Sequence, residues 1–168
     1  MGRFPVISIS LKSVDGLNYD AAAAALRAVI GDEAVRFQFL RESGNLSAHD
    51  RERYEALIRM DRGIFSMEDE LLVDSLMILS RLLSKHYGRK VILLIDEYDV
   101  PLDKAFQAGY YDEMVTLIRN MLGNVLKTNE NLYFAVLTGC LSISKESIFT
   151  GLNNLKVHTI SDVRYDEY

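Results

Sequence analysis

Apolar and small polar residues alternate from Phe4 to Leu11 (FPVISISL), the period-two signature of a strand. The pattern then changes to helical spacing. Asp20 is a capping residue for a helix through Ile30, with Gly31 as its stop. Asp32 to Ser43 continues helically up to Gly44, and Ser47 to Arg62 reads as a polar, charged helix ended by Gly63. Ser66 with Asp69 three residues on resembles a capping box, and the amphipathic run it opens ends at Gly88 in the position of a C-terminal cap. Val91 to Ile95 is apolar throughout, as strands covered on both faces are. Residues 110 to 127 form another amphipathic helix, and Leu132 to Leu137 (LYFAVL) a second buried strand. A short helix over Ser144 to Phe149 and a last strand over Lys156 to Ile160 complete the pattern. Strands separated by helical segments define an α/β fold with a mostly parallel sheet.

Composition narrows this picture. A chain of 168 residues, 49% of them apolar, carries enough material for one domain with a sizeable core. The net charge of −5 gives no global attraction to nucleic acid. With Cys140 as the sole cysteine, no internal disulfide forms, and a reducing cytoplasm is the expected setting. No apolar run reaches membrane-spanning length, and MGRFPV lacks both the apolar core of a signal peptide and a myristoylation signal.

Chemistry enters where Val91 to Ile95 runs into Asp96 and Glu97. In open α/β sheets, function collects at the carboxyl ends of strands, where Asp96, Glu97 and Thr138 all fall. An apolar strand followed by Asp-Glu is the Walker B pattern. Its first carboxylate holds the water shell of a nucleotide's Mg²⁺, and its second polarises the attacking water. Thr138, ending the neighbouring strand, is placed to touch that water or the γ-phosphate. The same residues also read as a solvated acidic turn, and spacing leaves both readings open. Asp99 and Asp103 extend that turn as solvated or capping groups, with a metal role as the alternative. His49, His86 and His158 show no ligand spacing, and Cys140 has no evident base beside it.

Longer stretches weigh on the choice. "LIDEYDVPL", "LKTNENLYFAVLTGC" and "SKESIFTGLNNLKVHTISD", with "FPVISISLKS" near the start, resemble the AAA-ATPase-like family of bacterial proteins across nearly the whole chain. Members of that family often carry a PD-(D/E)XK nuclease-like domain farther along. The resemblance implies a P-loop NTPase-like, AAA-type fold with three α/β/α layers. It also implies ATP and Mg²⁺ as cofactors, Asp96 (the metal-holding residue) and Glu97 as Walker B, and Thr138 near the sensor 1 position. A stretch from Lys145 to Asn154 (KESIFTGLNN) is part of the likeness and has no chemical role we can assign.

The phosphate cradle G-x-x-x-x-G-K-[ST] does not occur in these 168 residues. In the family it lies upstream of the strand matching FPVISISL. Residues 1–168 are therefore expected to form a single truncated domain without the first strand and its P-loop, a poor ATPase in isolation. Gly139 to Glu146 (GCLSISKE) has the Gly-to-Lys distance of a P-loop and makes Lys145 a candidate phosphate ligand. Ser144 stands in place of its second Gly, however, and Glu146 in place of the Mg²⁺-binding hydroxyl. Ser142 replaces an arginine usual in the family after T-G-C. The missing strand would lie between Leu132–Leu137 and Lys156–Ile160. Its loss leaves an open apolar edge that the last strand, or a second copy of the chain, is expected to close. Two further readings stand beside the ATPase: a non-catalytic scaffold, and a metal-dependent nuclease using the acidic cluster.

Overall fold

The computed structural model describes residues 4–127, 129–140 and 156. Strand β1 (Val6–Ser10) comes first, and helix α1 (Tyr19–Val35) follows. Asn18 caps α1, its side-chain oxygen accepting the Ala21 N–H at 2.9 Å. The helix does not stop at Gly31, as expected from sequence, but runs through it. The reason is packing: a Cβ at Gly31 would overlap the Phe65 ring, so this glycine admits a close neighbour and does not end the helix. A 3-10 turn at Gln38–Glu42 leads to α2 (Ala48–Ile58), which starts from a complete capping box between Ser47 and Asp50.

The expected helix to Arg62 ends at Ile58. Strands β2 (Met60–Asp61) and β3 (Ile64–Phe65) then pair as a small antiparallel hairpin. Arg62 and Gly63, at φ 51° and 81°, form its two-residue turn in the left-handed region such hairpins require. The hairpin delivers Phe65 to α1. It also takes Ser66 away from the next helix: its backbone N–H donates to the Arg59 carbonyl at 3.0 Å. Helix α3 (Asp69–Tyr87) thus begins at Glu68 without the expected Ser66 cap, and ends at Gly88 in the left-handed conformation, as expected.

Strand β4 (Val91–Asp96) is followed by α4 (Val100–Ala108), a helix that the apolar pattern did not reveal. Its start carries a proline, Pro101, where the missing N–H is harmless. Helix α5 (Tyr111–Lys127) and strand β5 (Leu132–Leu137) fall where the pattern puts them. The expected helix at Ser144–Phe149, the strand Lys156–Ile160 apart from exposed Lys156, and Ser142, Lys145 and the stretch Lys145–Asn154 lie outside the described residues.

The main sheet has the order β1-β4-β5, all parallel. Register sorts its side chains into two faces. Ile7, Leu93 and Ala135 share one row, Ile9, Ile95 and Leu137 another, and these rows join the core. Helices α1, α3 and α5 touch one another and the strands on this side. The opposite face carries Val6–Ile92–Phe134 and Ser8–Leu94–Val136, with Phe134 and Val136 each 45% exposed. The described residues thus form an α/β fold with a parallel sheet in two layers; the expected third layer is not among them. Strand β5, expected to be a buried strand with an open edge, has β4 as its single partner among the described residues and leaves Tyr133, Phe134 and Val136 exposed.

Three carboxylates are buried among the described residues, those of Glu33, Asp50 and Asp99, and Asp50 lies between helices. Asp50, 3% exposed, accepts both Lys85 Nζ contacts at 2.8 Å and the Ser47 backbone and hydroxyl at 3.1 and 2.8 Å. Burial alone would raise its pKa, but these donors outweigh burial and hold the carboxyl at about 2. No helix among the described residues is long and apolar enough to cross a membrane.

Candidate functional site

The site forms where β4 leaves the sheet. Ile95 is the last buried anchor of that strand, at 1% exposure, and Asp96 follows it onto the open face in register with Ser10 of β1. The Leu11 N–H donates to the Asp96 carbonyl at 2.9 Å, which holds the strand end in place. Glu97 then takes φ 55°, a left-handed conformation that non-glycine residues adopt at an energetic cost. The turn is closed by the Val100 N–H on the Glu97 carbonyl at 3.1 Å. It sends Tyr98 back into the core and leaves the Glu97 carboxylate half-exposed above the strand ends.

Thr138 meets this turn from the neighbouring strand. Its N–H donates to the Ile95 carbonyl at 2.9 Å, and its carbonyl accepts the Tyr98 N–H at 3.1 Å. These two bonds carry the β ladder one residue past β5 and bring the Thr138 hydroxyl onto Asp96 Oδ1, to which it donates. The structure therefore brings together all three residues expected from the sequence: Asp96, Glu97 and Thr138. The fourth candidate, Lys145, lies outside the described residues.

Two residues were missed. Ser10 ends β1 on the same side, and its hydroxyl donates to Glu97 Oε2 at 3.5 Å, a long bond. The alternation of FPVISISL already put Ser8 and Ser10 on a shared face; nothing in it told which strand end Ser10 would stand beside. Asp99 is the second. It was expected to be solvated or to cap a helix, yet it is 3% exposed and its Oδ2 accepts the Cys140 N–H at 2.7 Å. Asp103, by contrast, sits on the surface of α4 and accepts from Gln107 Nε2 at 2.8 Å.

The donor set at the strand ends is all oxygen: one carboxylate whose Oδ2 meets none of the described residues, a threonine hydroxyl, and the second carboxylate beyond them. Hard oxygen donors in such small number suit Mg²⁺, which keeps several waters and takes its remaining ligands from phosphates. The described residues hold no group of three His, Cys, Asp or Glu side chains arranged to grip an ion unaided. Chemistry and donor number together favour an ion that arrives with its own ligands. A groove of about 770 Å³ between α3 and α5 lies away from this site. Asp69, Glu70, Asp74, Asp112 and Glu113 line it, and that many carboxylates repel a phosphate chain.

Fold and site define a class: an α/β protein whose parallel sheet presents an acidic pair and a threonine at adjacent strand ends. The family model described as "Predicted AAA-ATPase" matches residues 1–149, and the chain belongs to this AAA-ATPase-like family. The chain is also similar to a protein of Azotobacter chroococcum mcd 1 described as "Uncharacterized protein in vnfD 5'region". The two are 37% identical over 79 residues, which is 46% of this chain and 15% of the length of that relative. No solved structure matches.

Proposed function

We propose that Asp96, Glu97 and Thr138 are the metal- and water-handling half of an ATP-hydrolysing site of the P-loop type. The observation that carries this reading is the Thr138 hydroxyl resting on Asp96 at adjacent parallel strand ends, with Glu97 turned out beside them. A strand end that was only a solvated turn would have no need of a left-handed glutamate or of a threonine pinned to its aspartate.

Each residue has a distinct task. Asp96 and Thr138 would hold Mg²⁺ through its water ligands, Asp96 as acceptor and Thr138 as the group that fixes the carboxylate plane. Bound Mg²⁺ would supply neutralisation of charge on the phosphates. Glu97 accepts a proton from, or orients, the attacking water at its carboxylate. The Ser10 hydroxyl restrains that carboxylate from the far side. The phosphates themselves need a cradle of backbone N–H groups and a lysine, and no G-x-x-x-x-G-K-[ST] stretch occurs in these residues. In this reading the cradle comes from another segment of a longer protein, and the 168 residues by themselves bind Mg·ATP poorly.

Steady-state ATPase assays and nucleotide-binding titrations of the longer protein test the assignment. With Glu97→Gln, hydrolysis should fall by about 10²- to 10⁴-fold, as when a general base is lost, while Mg·ATP still binds. Asp96→Asn should weaken binding of Mg·ATP more than of ATP without metal. Hydrolysis unchanged in both variants would refute the assignment.

A further inference from the structure

Asp99 occupies the position from which a side chain would cap α4, yet it makes no cap bond there. Its backbone carbonyl takes the Leu102 and Asp103 N–H groups, both at 3.1 Å, so the residue is locked to the first turn of the helix. The carboxylate of this anchored, buried residue reaches out of the helix and accepts the Cys140 N–H at 2.7 Å. Gly139 lies between them. A Cβ at that position would stand 2.7 Å from Asp99 Oδ1, 2.9 Å from its Cγ and 2.9 Å from the Tyr98 ring. Only a glycine allows the chain leaving β5 to lie this close.

Thr138 is consequently held from both ends. Behind it, Ile95 and Tyr98 pin its backbone to β4; ahead of it, Asp99 fixes the peptide of Cys140. A threonine hydroxyl on a β-branched side chain points where its backbone aims it, because χ1 has few open choices. The direction of the Thr138 hydroxyl toward Asp96 then depends on the loop that Asp99 holds. We propose that Asp99, working through Gly139 and Cys140, is the positioning residue for the Asp96–Thr138 pair. This deepens the ATP-site reading and rests on it for its effect on metal binding, but the geometric claim can be measured separately.

The test uses the longer protein that supplies the phosphate cradle, labels its threonine γ-methyl groups and follows the Thr138 methyl by NMR, with relaxation enhancement of water by Mn²⁺ added with ATP as the second readout. Asp96→Asn marks where the Thr138 methyl moves when its acceptor changes. Asp99→Ala should move that methyl and weaken Mn²⁺ binding about tenfold, the scale of a lost hydrogen bond to a charged group. Gly139→Ala approaches the same contact from the other side and should do likewise, which decides the matter if Asp99→Ala does not fold. Asp99→Asn keeps an oxygen able to accept the Cys140 N–H and should leave the methyl at its wild-type position, a rescue that a purely stabilising buried charge would not show. A Thr138 methyl unmoved in folded Gly139→Ala, or an Asp99→Asn variant that behaves like Asp99→Ala, overturns the proposal. A longer wild-type protein that binds no Mn²⁺ with ATP while its Thr138 methyl responds as expected retires the ATP-site reading and supports the positioning role.

Discussion

Asp50 and Asp96 are both aspartates at the end of an element, and the protein treats them in opposite ways. Asp50 is buried between α2 and α3, and its two carboxylate oxygens are saturated by Ser47 and Lys85, with Arg81 at 4.0 Å. Asp96 is exposed at the tip of β4, with the Thr138 hydroxyl on one oxygen and none of the described residues on the other. The backbone follows the same division. The residue after Asp50 continues an ordinary helix, whereas the one after Asp96 is held at φ 55°. A carboxylate whose bonds are all made inside the protein contributes stability and has nothing left to bind. One with an oxygen that meets none of the described residues, and a costly turn beside it, contributes little to stability through its own bonds.

This contrast can be broken by measurement, beginning with the largest expected effect. Asp50→Ala removes the acceptor for Lys85 and the capping box together, and should lower the unfolding free energy in urea by about 3 kcal/mol, as for a broken buried ion pair. A loss below about 0.5 kcal/mol, the size expected of a surface substitution, would make Asp50 no more structural than Asp96.

An acid titration comes next. The folded pKa of Asp50, about 2, lies below the ordinary 3.8. A depressed carboxylate contributes stability that is complete above its unfolded pKa and is lost as the pH falls through its folded one. About 2 kcal/mol should therefore disappear between roughly pH 4 and pH 2, in excess of what Asp50→Asn loses over the same range. Parallel stability curves for the two proteins would show that the carboxylate is not held by its partners.

The smallest effect belongs to Asp96→Asn. Stability should change by less than about 0.5 kcal/mol, because an exposed strand-end carboxylate with one hydroxyl partner carries little folding energy. A loss near that of Asp50→Ala would sharpen the comparison in the other direction, by making the strand end a structural site.

Much of this molecule is legible in its sequence. The alternation in FPVISISL, the apolar run Val91 to Ile95 and the run LYFAVL are period signals, local in the chain, and all three became strands of one parallel sheet. Asp96, Glu97 and Thr138 were legible for a related reason: strand ends in parallel α/β sheets face one edge, so residues far apart in sequence have to meet there. Gly88 likewise ended its helix by the plain need for a left-handed residue. Local signals failed where a distant neighbour decided the outcome. Gly31 reads as a stop until Phe65 arrives against it, and Ser66 reads as a cap until the hairpin takes its N–H. The short β2–β3 hairpin is too brief to carry a period at all.

Asp99, Ser10 and Gly139 show the same limit at the site. By sequence, Asp99 is one more acid in an acidic turn, no different from Asp103. Only the tertiary structure buried one of the two, because the exit of β5 lies on Asp99 and not on Asp103. The periodicity of the chain determined which segments would be strands and which strand end would carry the carboxylates, since those follow from spacing along the backbone. Which of those polar groups would be satisfied internally and which left open was decided only by packing between elements 40 and more residues apart, where the cost of burying an unpaired charge selects partners that no local pattern records.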